Sequence, residues 1–179
     1  MKRIVSIAAL MFALLFSLTV IAEAQVQWIV GGKMGISIGS LSISQPAFAF
    51  FAPAQSTTST SAGFTIGPEA EVVFSRQFAI TTEFDINTQA GTPIVWQNNF
   101  KVFFPITGSK ILPYADAGFG LLFVTGGPYF GFQGGGGAMF PIAKNLYVPA
   151  DLQLGPFFAT GATLFWISIR GGIAYVIPS

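Results

Sequence analysis

Two consecutive runs in the chain alternate apolar and polar residues: AGFTIGPEAEVVF from Ala62, and FAITTEFDIN from Phe78. In the first, Phe64, Ile66, Ala70, Val72 and Phe74 share one parity, and Thr65, Gly67, Glu69 and Glu71 the other. In the second, Phe78, Ile80, Phe84 and Ile86 stand against Ala79, Thr81, Glu83, Asp85 and Asn87. A period of two puts successive side chains on opposite faces of a strand, so each run has one apolar face and one carboxylate-bearing face. Ser75-Arg76-Gln77 between them is short enough for a hairpin turn. Each run has the roughly ten residues that a tilted strand needs to cross the hydrocarbon layer of a bilayer. A soluble hairpin would bury the apolar face and leave the charges in water. A barrel turned inside out would do the reverse.

The same alternation recurs along the chain. Trp28, Val30, Met34, Ile36 and Ile38 oppose Gln27, Lys33 and Ser37; Trp96, Phe100, Val102 and Phe104 oppose Gln97, Asn99 and Lys101. Ala115, Ala117, Phe119 and Leu121 oppose Tyr114, Asp116, Gly118 and Gly120; Phe130, Phe132, Ala138 and Phe140 oppose Gln133, Gly135, Gly137 and Met139. Leu146, Val148, Ala150, Leu152 and Leu154 oppose Tyr147, Asp151 and Gln153; Phe165, Ile167, Ile169, Ile173 and Tyr175 oppose Ser168, Arg170 and Ala174. This gives about eight strands. Short turns at Ser75–Gln77, Thr107–Lys110 and Ile142–Asn145 alternate with longer connections at Ser40–Ser61, TQAGTPIV, TGGPY and GPFFATGAT. Short turns at one end and longer loops at the other suit an outer-membrane barrel. Outward aromatics fall near both strand ends, with Trp28, Phe74, Phe78, Phe104, Phe140 and Tyr175 at one and Phe64, Trp96, Phe123, Phe130 and Phe165 at the other. Such pairs of girdles mark the two interfaces of a spanning barrel.

Composition narrows the choice. The 179 residues suit one domain; 52% are hydrophobic, 8% are charged, and mean hydropathy is +0.66. Soluble domains carry roughly 25% charged residues. After residue 22, however, no apolar run reaches the roughly 20 residues of a spanning helix. Cysteine and histidine are absent, which removes disulfides, thiolate metal sites and the commonest acid–base group. A formal net charge of +1 offers no basic patch for nucleic acid. No catalytic, cofactor-binding or metal-binding residues are assigned. At the amino terminus, Met1-Lys2-Arg3 and the apolar run from Ile4 precede Ala22-Glu23-Ala24, a basic, an apolar and a small-residue segment in the order of a signal peptide. Residues 1–24 are read as that peptide and 25–179 as an exported barrel domain; a single membrane anchor is the competing reading of the same run.

The charges discriminate between the two kinds of barrel. Lys33, Glu69, Glu71, Glu83, Asp85, Lys101, Asp116, Asp151 and Arg170 all lie opposite the apolar stripe, and Arg76, Lys110 and Lys144 sit in predicted turns. An Arg or Lys on the lipid face costs about 2–4 kcal/mol near the midplane, so lipid exposure requires this sorting. A soluble sandwich would concentrate charge in its loops, and here the long loops carry none. The nine charges are therefore expected to form one interior network. In it Lys33 and Arg170 pair with Glu69 and Glu71, and Lys101 with Glu83 or Asp85, because pairing offsets desolvation. The network reads as a polar core that holds the barrel closed; a gate or an ion path is the functional alternative.

These residues also resemble a family. GFTIGPEAEVVFSRQFAITTEFD, ILPYADAGFGLLF, FGFQGGGGAMFPIAKNLYVPADLQLG and FWISIRGGIAYV, in that order, look like the small OmpA/OmpX-type outer-membrane β-barrel proteins. The resemblance covers about Gln25 to Val176. It implies an all-β fold, an eight-stranded antiparallel up-and-down transmembrane barrel, in the outer membrane of a Gram-negative-type bacterium, with no shared catalytic residues. Three features depart from the pattern. Family members usually end on an aromatic residue, whereas Tyr175 is followed by VIPS; Pro68 and Pro149 fall inside predicted strands, where bulges or register shifts are expected; and little sequence follows Val176, so a wall-binding domain is not expected.

An eight-stranded barrel is just wide enough for side chains to fill its interior. Tyr114, Tyr147, Met139, Gln97 and Gln153 point inward with the charges, and the inward Gly118, Gly120, Gly135 and Gly137 either leave a cavity or make room for bulky neighbours. Glu83 and Asp85, about 7 Å apart along one strand, could pose as a catalytic carboxylate pair, but no cleft accompanies them. The leading expectation is a non-enzymatic structural or surface-interaction protein. Its contact loop would hold Phe48, Phe50 and Phe51, which could equally lie in the membrane interface. The alternative is a narrow porin-like channel. Expected partners are outer-membrane lipids and, during biogenesis, the secretion and barrel-assembly machinery; no external partner is identified.

Overall fold

The structure, a computed structural model, describes residues 26–45, 55–75, 77–89, 91–124 and 127–178. The signal-peptide segment, Phe48, Phe50, Phe51 and Arg76 lie outside the described residues. Eight strands follow one another: β1 (Gln27–Gln45), β2 (Gln55–Val73), β3 (Phe78–Asn87), β4 (Ile94–Phe103), β5 (Leu112–Val124), β6 (Gly127–Ala143), β7 (Leu146–Ala159) and β8 (Ala162–Ile177). Each pairs antiparallel with its neighbours in sequence, and β1 pairs with β8, so the sheet closes into an up-and-down barrel. Closure pairs every strand on both sides around the ring, leaving the Gln55–Phe64 part of β2 beyond its ladder with β3.

Parity sets the orientation. Phe84 is 47% exposed and Ile169 66%, while their sequence neighbours Glu83 and Arg170 are 2% and 3% exposed. The outer wall is thus built of Ile, Phe, Leu and Val, and the ionised residues face the lumen. Trp28, Phe78, Phe104, Phe140 and Tyr175 are exposed at the end near the termini, and Phe64, Phe123, Phe130 and Phe165 at the other; Phe74 and Trp96 are half-buried. No helix among the described residues is long and apolar enough to span a membrane, and the crossing elements are strands.

The connections differ from the sequence expectation. Most of the anticipated Ser40–Ser61 loop is strand: β1 runs on to Gln45, and β2 begins at Gln55. Serines and threonines here face each other across the ladder, with Ser42 Oγ and Thr58 Oγ1 at 3.4 Å and Thr60 Oγ1 donating to Ser40 Oγ at 3.4 Å. Such cross-strand hydroxyl pairs and the β-branched threonines favour extension over a loop. GPFFATGAT is likewise mostly strand, turning only at Thr160-Gly161, where Gly161 supplies a φ of 74°. The connection expected to be a tight turn, by contrast, occupies Phe104–Ile111. Loop length therefore does not separate the two ends of the barrel among the described residues.

The prolines also behave differently from expectation. The β2–β3 and β7–β8 registers are the same on both sides of Pro68 and Pro149. The ladder pairs are interrupted there without a slip, because an apolar outer face and a charged inner face forbid a one-residue shift. The shift that does occur lies between Pro141 and Ala143, beside the β6–β7 turn.

The outward surface yields a direct test. Ile169→Arg should lose about 2–4 kcal/mol in urea unfolding from lipid vesicles, and Ile169→Val should change little.

Candidate functional site

The lumen is the chemically distinctive part of the molecule, and it is stratified. At the end near the termini, Ile29, Ala79, Phe103, Tyr114, Met139 and Ala174 form a buried apolar layer, with Tyr147 and Leu112 packed against it. Toward the opposite end, Val95, Leu122, Phe157 and Trp166 form a second one. All nine predicted interior charges are buried in the lumen with them, Glu71 and Lys101 opposite Ile29 and Ala79 of the first layer and Asp85 opposite Val95 of the second. The two apolar layers were not anticipated. Their signal was nevertheless present, because Ile29, Val95, Phe103, Leu122, Phe157 and Trp166 each share parity with an inward polar residue of the same strand.

Lys33 and Arg170 stand on β1 and β8, the strands that close the ring. Lys33 Nζ lies 2.7 Å from Glu69, 2.9 Å from Glu83 and 2.7 Å from Asp151. Glu69 and Glu83 occupy directly opposed positions of β2 and β3, an arrangement of like charges that is destabilising without a cation between them. Arg170 Nη1 donates to Glu83 and to Asp85, 2.6 Å each, and its Nε donates to Asp151 at 3.0 Å. The two cations therefore share Glu83 on one wall and Asp151 on the other, and they span the lumen. Tyr114 Oη donates to Asp151 at 3.1 Å, and Gln97 Nε2 to Glu83 at 2.6 Å.

The pairing departs from the expected one in two places. Lys101 pairs with Glu71, not with Glu83 or Asp85. The register sets Lys101 beside Ala79, whose small side chain lets the ammonium pass over β3 to Glu71; Thr81 also donates to that carboxylate, at 3.1 Å. The ammonium stands 4.4 Å from the Tyr114 ring centroid, a cation–π contact. Arg170 reaches Glu83 and Asp85 rather than Glu69 or Glu71; its neighbour on β1 is Gly35, where a Cβ would lie 2.7 Å from Arg170 Cα. Lys33 does meet Glu69. Asp116 makes no ion pair among the described residues; both its oxygens accept from Gln153 Nε2, at 2.7 and 2.8 Å.

The inward glycines are filled over. A Cβ on Gly137 would lie 2.8 Å from that of Asp151, and one on Gly135 would lie 2.7 Å from Gln153 Cδ. These glycines are where the chain makes room for the acid that ties Lys33 to Arg170. Toward the loop end, Asn87 donates to Ser37, and Gln89 Nε2 spans the carbonyls of Ser37 and Ser61 at 3.2 Å each. Gln89 was not singled out from the sequence, although it lies two residues past the end of β3 on the inward parity of Glu83, Asp85 and Asn87.

Chemically, this is a closed ionic cross-brace. Glu83 and Asp85 are both held by one guanidinium nitrogen rather than offered to a substrate. Among the described residues, no group of three or more His, Cys, Asp or Glu is placed to hold a metal.

Comparison with known proteins bears on the fold. No protein-family description and no curated protein sequence matches the chain. Among solved structures, it is similar to Neisserial surface protein A, at 12% identity and a TM-score of 0.58, covering 83% of this chain and 96% of that one. It is also similar to the outer membrane protein OprG from Pseudomonas aeruginosa, at 10% identity and a TM-score of 0.57, covering 86% and 96%. A de novo designed transmembrane β-barrel aligns too, at 14% identity and a TM-score of 0.50, covering 84% and 95%. The fold is therefore that of the eight-stranded outer-membrane barrels, as the sequence resemblance implied. A designed barrel on that short roll underlines that the fold by itself carries no particular activity.

Removing a cation tests the brace. Arg170→Met leaves Glu83, Asp85 and Asp151 short of a partner and should cost about 3–5 kcal/mol in equilibrium unfolding. Lys101→Met, which frees one carboxylate, should cost less. Combining Arg170→Met with Glu83→Gln should cost less than the sum of the two singles, since both remove one contact.

Proposed function

We propose that this chain is an integral outer-membrane barrel, sealed through its middle, that serves as a rigid non-catalytic scaffold for surface interaction. The observation that carries this reading is the filled lumen: an ionic layer crossed by Lys33 and Arg170 between two apolar layers. A plugged interior moves the working surface to the barrel's outer end. The apolar wall takes the lipids of the outer membrane, to which the signal-peptide segment and the secretion and barrel-assembly machinery deliver the chain.

At the end away from the termini, the β1–β2 hairpin rises above β3, while on its other side β8 follows β1 as far as Ile43 opposite Ala162. The β2–β3 ladder stops at Thr65 opposite Asn87, with Thr88 N donating to the Phe64 carbonyl at 2.8 Å. β2 extends ten residues further, Gln55 to Phe64, on the order of 30 Å of strand at about 3.3 Å per residue. Backbone groups alternate sides along an antiparallel strand, so Ala62, Thr60 and Thr58 present theirs on the same side as Phe64, where no β3 residue continues the ladder. This polar free edge, exposed from Thr57 to Ala62, supports a role in meeting an extended segment of another protein.

Two measurements test the reading. Purified barrel in planar bilayers should give no steady single-channel current; regular unitary currents would instead favour the narrow channel. Cells bearing a barrel shortened from Leu41 to Ser59 should lose surface adhesion while the protein keeps its heat-modifiable gel mobility. Unchanged adhesion would remove the surface role.

A further inference from the structure

The outer mouth of the lumen contains a cavity of about 420 Å³. Its floor is Trp166 and Leu122, which are 3% and 0% exposed and rest on Phe157 and Val95. Below these comes the ionic layer, so the cavity has no continuation through the barrel. Its walls include Leu41, Val124, Tyr129 and Leu164. These occupy inward positions and are only partly buried; Leu41, Val124 and Leu164 are apolar, and Tyr129 adds its ring together with a phenol hydroxyl. A mouth filled by water alone would gain nothing from apolar side chains there, because each leaves hydrocarbon facing solvent.

One sector of the wall is polar. Ser59, Ser61 and Gln89 line it, beside the hairpin and the β3–β4 connection. Gln89 is committed to Ser61 and Ser37: its Oε1 accepts from Ser61 Oγ at 2.8 Å and its Nε2 bonds the two backbone carbonyls. Gln89 thus forms a fixed boundary, and the Ser59 hydroxyl is left to face an occupant. Among the described residues, none that lines the cavity is charged. An ionised ligand would lose its hydration there without a counter-charge.

We propose that this mouth is a blind binding site for a small neutral amphiphile, with a hydrocarbon body against Trp166, Leu122 and Leu164 and one hydroxyl or carbonyl head toward Ser59. The volume falls within the roughly 300–1,000 Å³ of small-molecule sites, whose typical lining is apolar with a few placed polar groups. The size suits a medium-chain alcohol or a monocyclic phenol. That the site is blind rests on the sealed lumen proposed above; the site does not depend on the identity of any protein partner of the hairpin, although Leu41, Ser59 and Ser61 of the hairpin line it.

Trp166 reports on occupancy once the other two tryptophans, both on the outer wall, are replaced in a Trp28→Phe, Trp96→Phe background. With this protein in bilayer nanodiscs, 1-octanol should change Trp166 emission saturably, and octanoate at pH 8 should bind at least about ten-fold more weakly. Val124→Phe, which fills the cavity, should weaken octanol binding by about ten-fold or more with heat-modifiable mobility unchanged. Leu164→Lys should lower the octanol response and raise that of octanoate, which keeps the test open should Val124→Phe not fold. A response that is linear in octanol, equal affinity for octanoate, or binding unaltered in a folded variant would overturn the proposal.

Discussion

Lys33 and Arg170 are the interaction on which this structure turns. They stand on β1 and β8, whose pairing converts a sheet into a ring, and each contacts three carboxylates. Because they share Glu83 and Asp151, neither can move without unpairing acids on both sides of the lumen. Each ion alone would be costly in so dry a space, several kilocalories per mole, and only a mutually satisfied set is tolerable. That constraint reaches outward. If the ions are to be inside, every other residue on every strand must face in, and the apolar remainder must face lipid.

The same constraint disciplines the backbone. Pro68 and Pro149 interrupt ladders yet shift no register, because a slip of one residue would carry a whole strand's charges to the hydrocarbon side. Irregularity is instead displaced to Pro141–Ala143, beside a turn, where no charged residue of the network would be turned over. Gly35 and Gly137 serve the ring in a related way: one lets the β8 backbone at Ile169 and Arg170 approach β1, and the other accommodates Asp151.

Stratification gives the barrel two working ends with different character. Aromatic and aliphatic residues close the lumen near the termini, and the ionic layer braces the middle. Above it, the Trp166–Leu122 floor carries an apolar mouth beside a tall hairpin of serine and threonine. The fold is shared with natural and designed barrels at low identity, and the ring by itself specifies no activity.

The alternation of residues determined the strand count, the inside-out orientation and the membership of all nine charges in the lumen, since a period of two has only two faces to distribute them on. It likewise held the parity of Phe157 and Trp166, which share the inward face of their strands with Asp151 and Arg170. What alternation does not encode is the third dimension of the ring: which inward residue stands at which height, and what lies across the lumen from it. Lys101 finds Glu71 diagonally across β3, with Ala79 beside the lysine and Thr81 opposite the acid, and Arg170 crosses to both Glu83 and Asp85. The hairpin followed the same division. Its serines and threonines read as a loop in isolation, and only cross-strand pairing with β1 gave them a reason to stay extended.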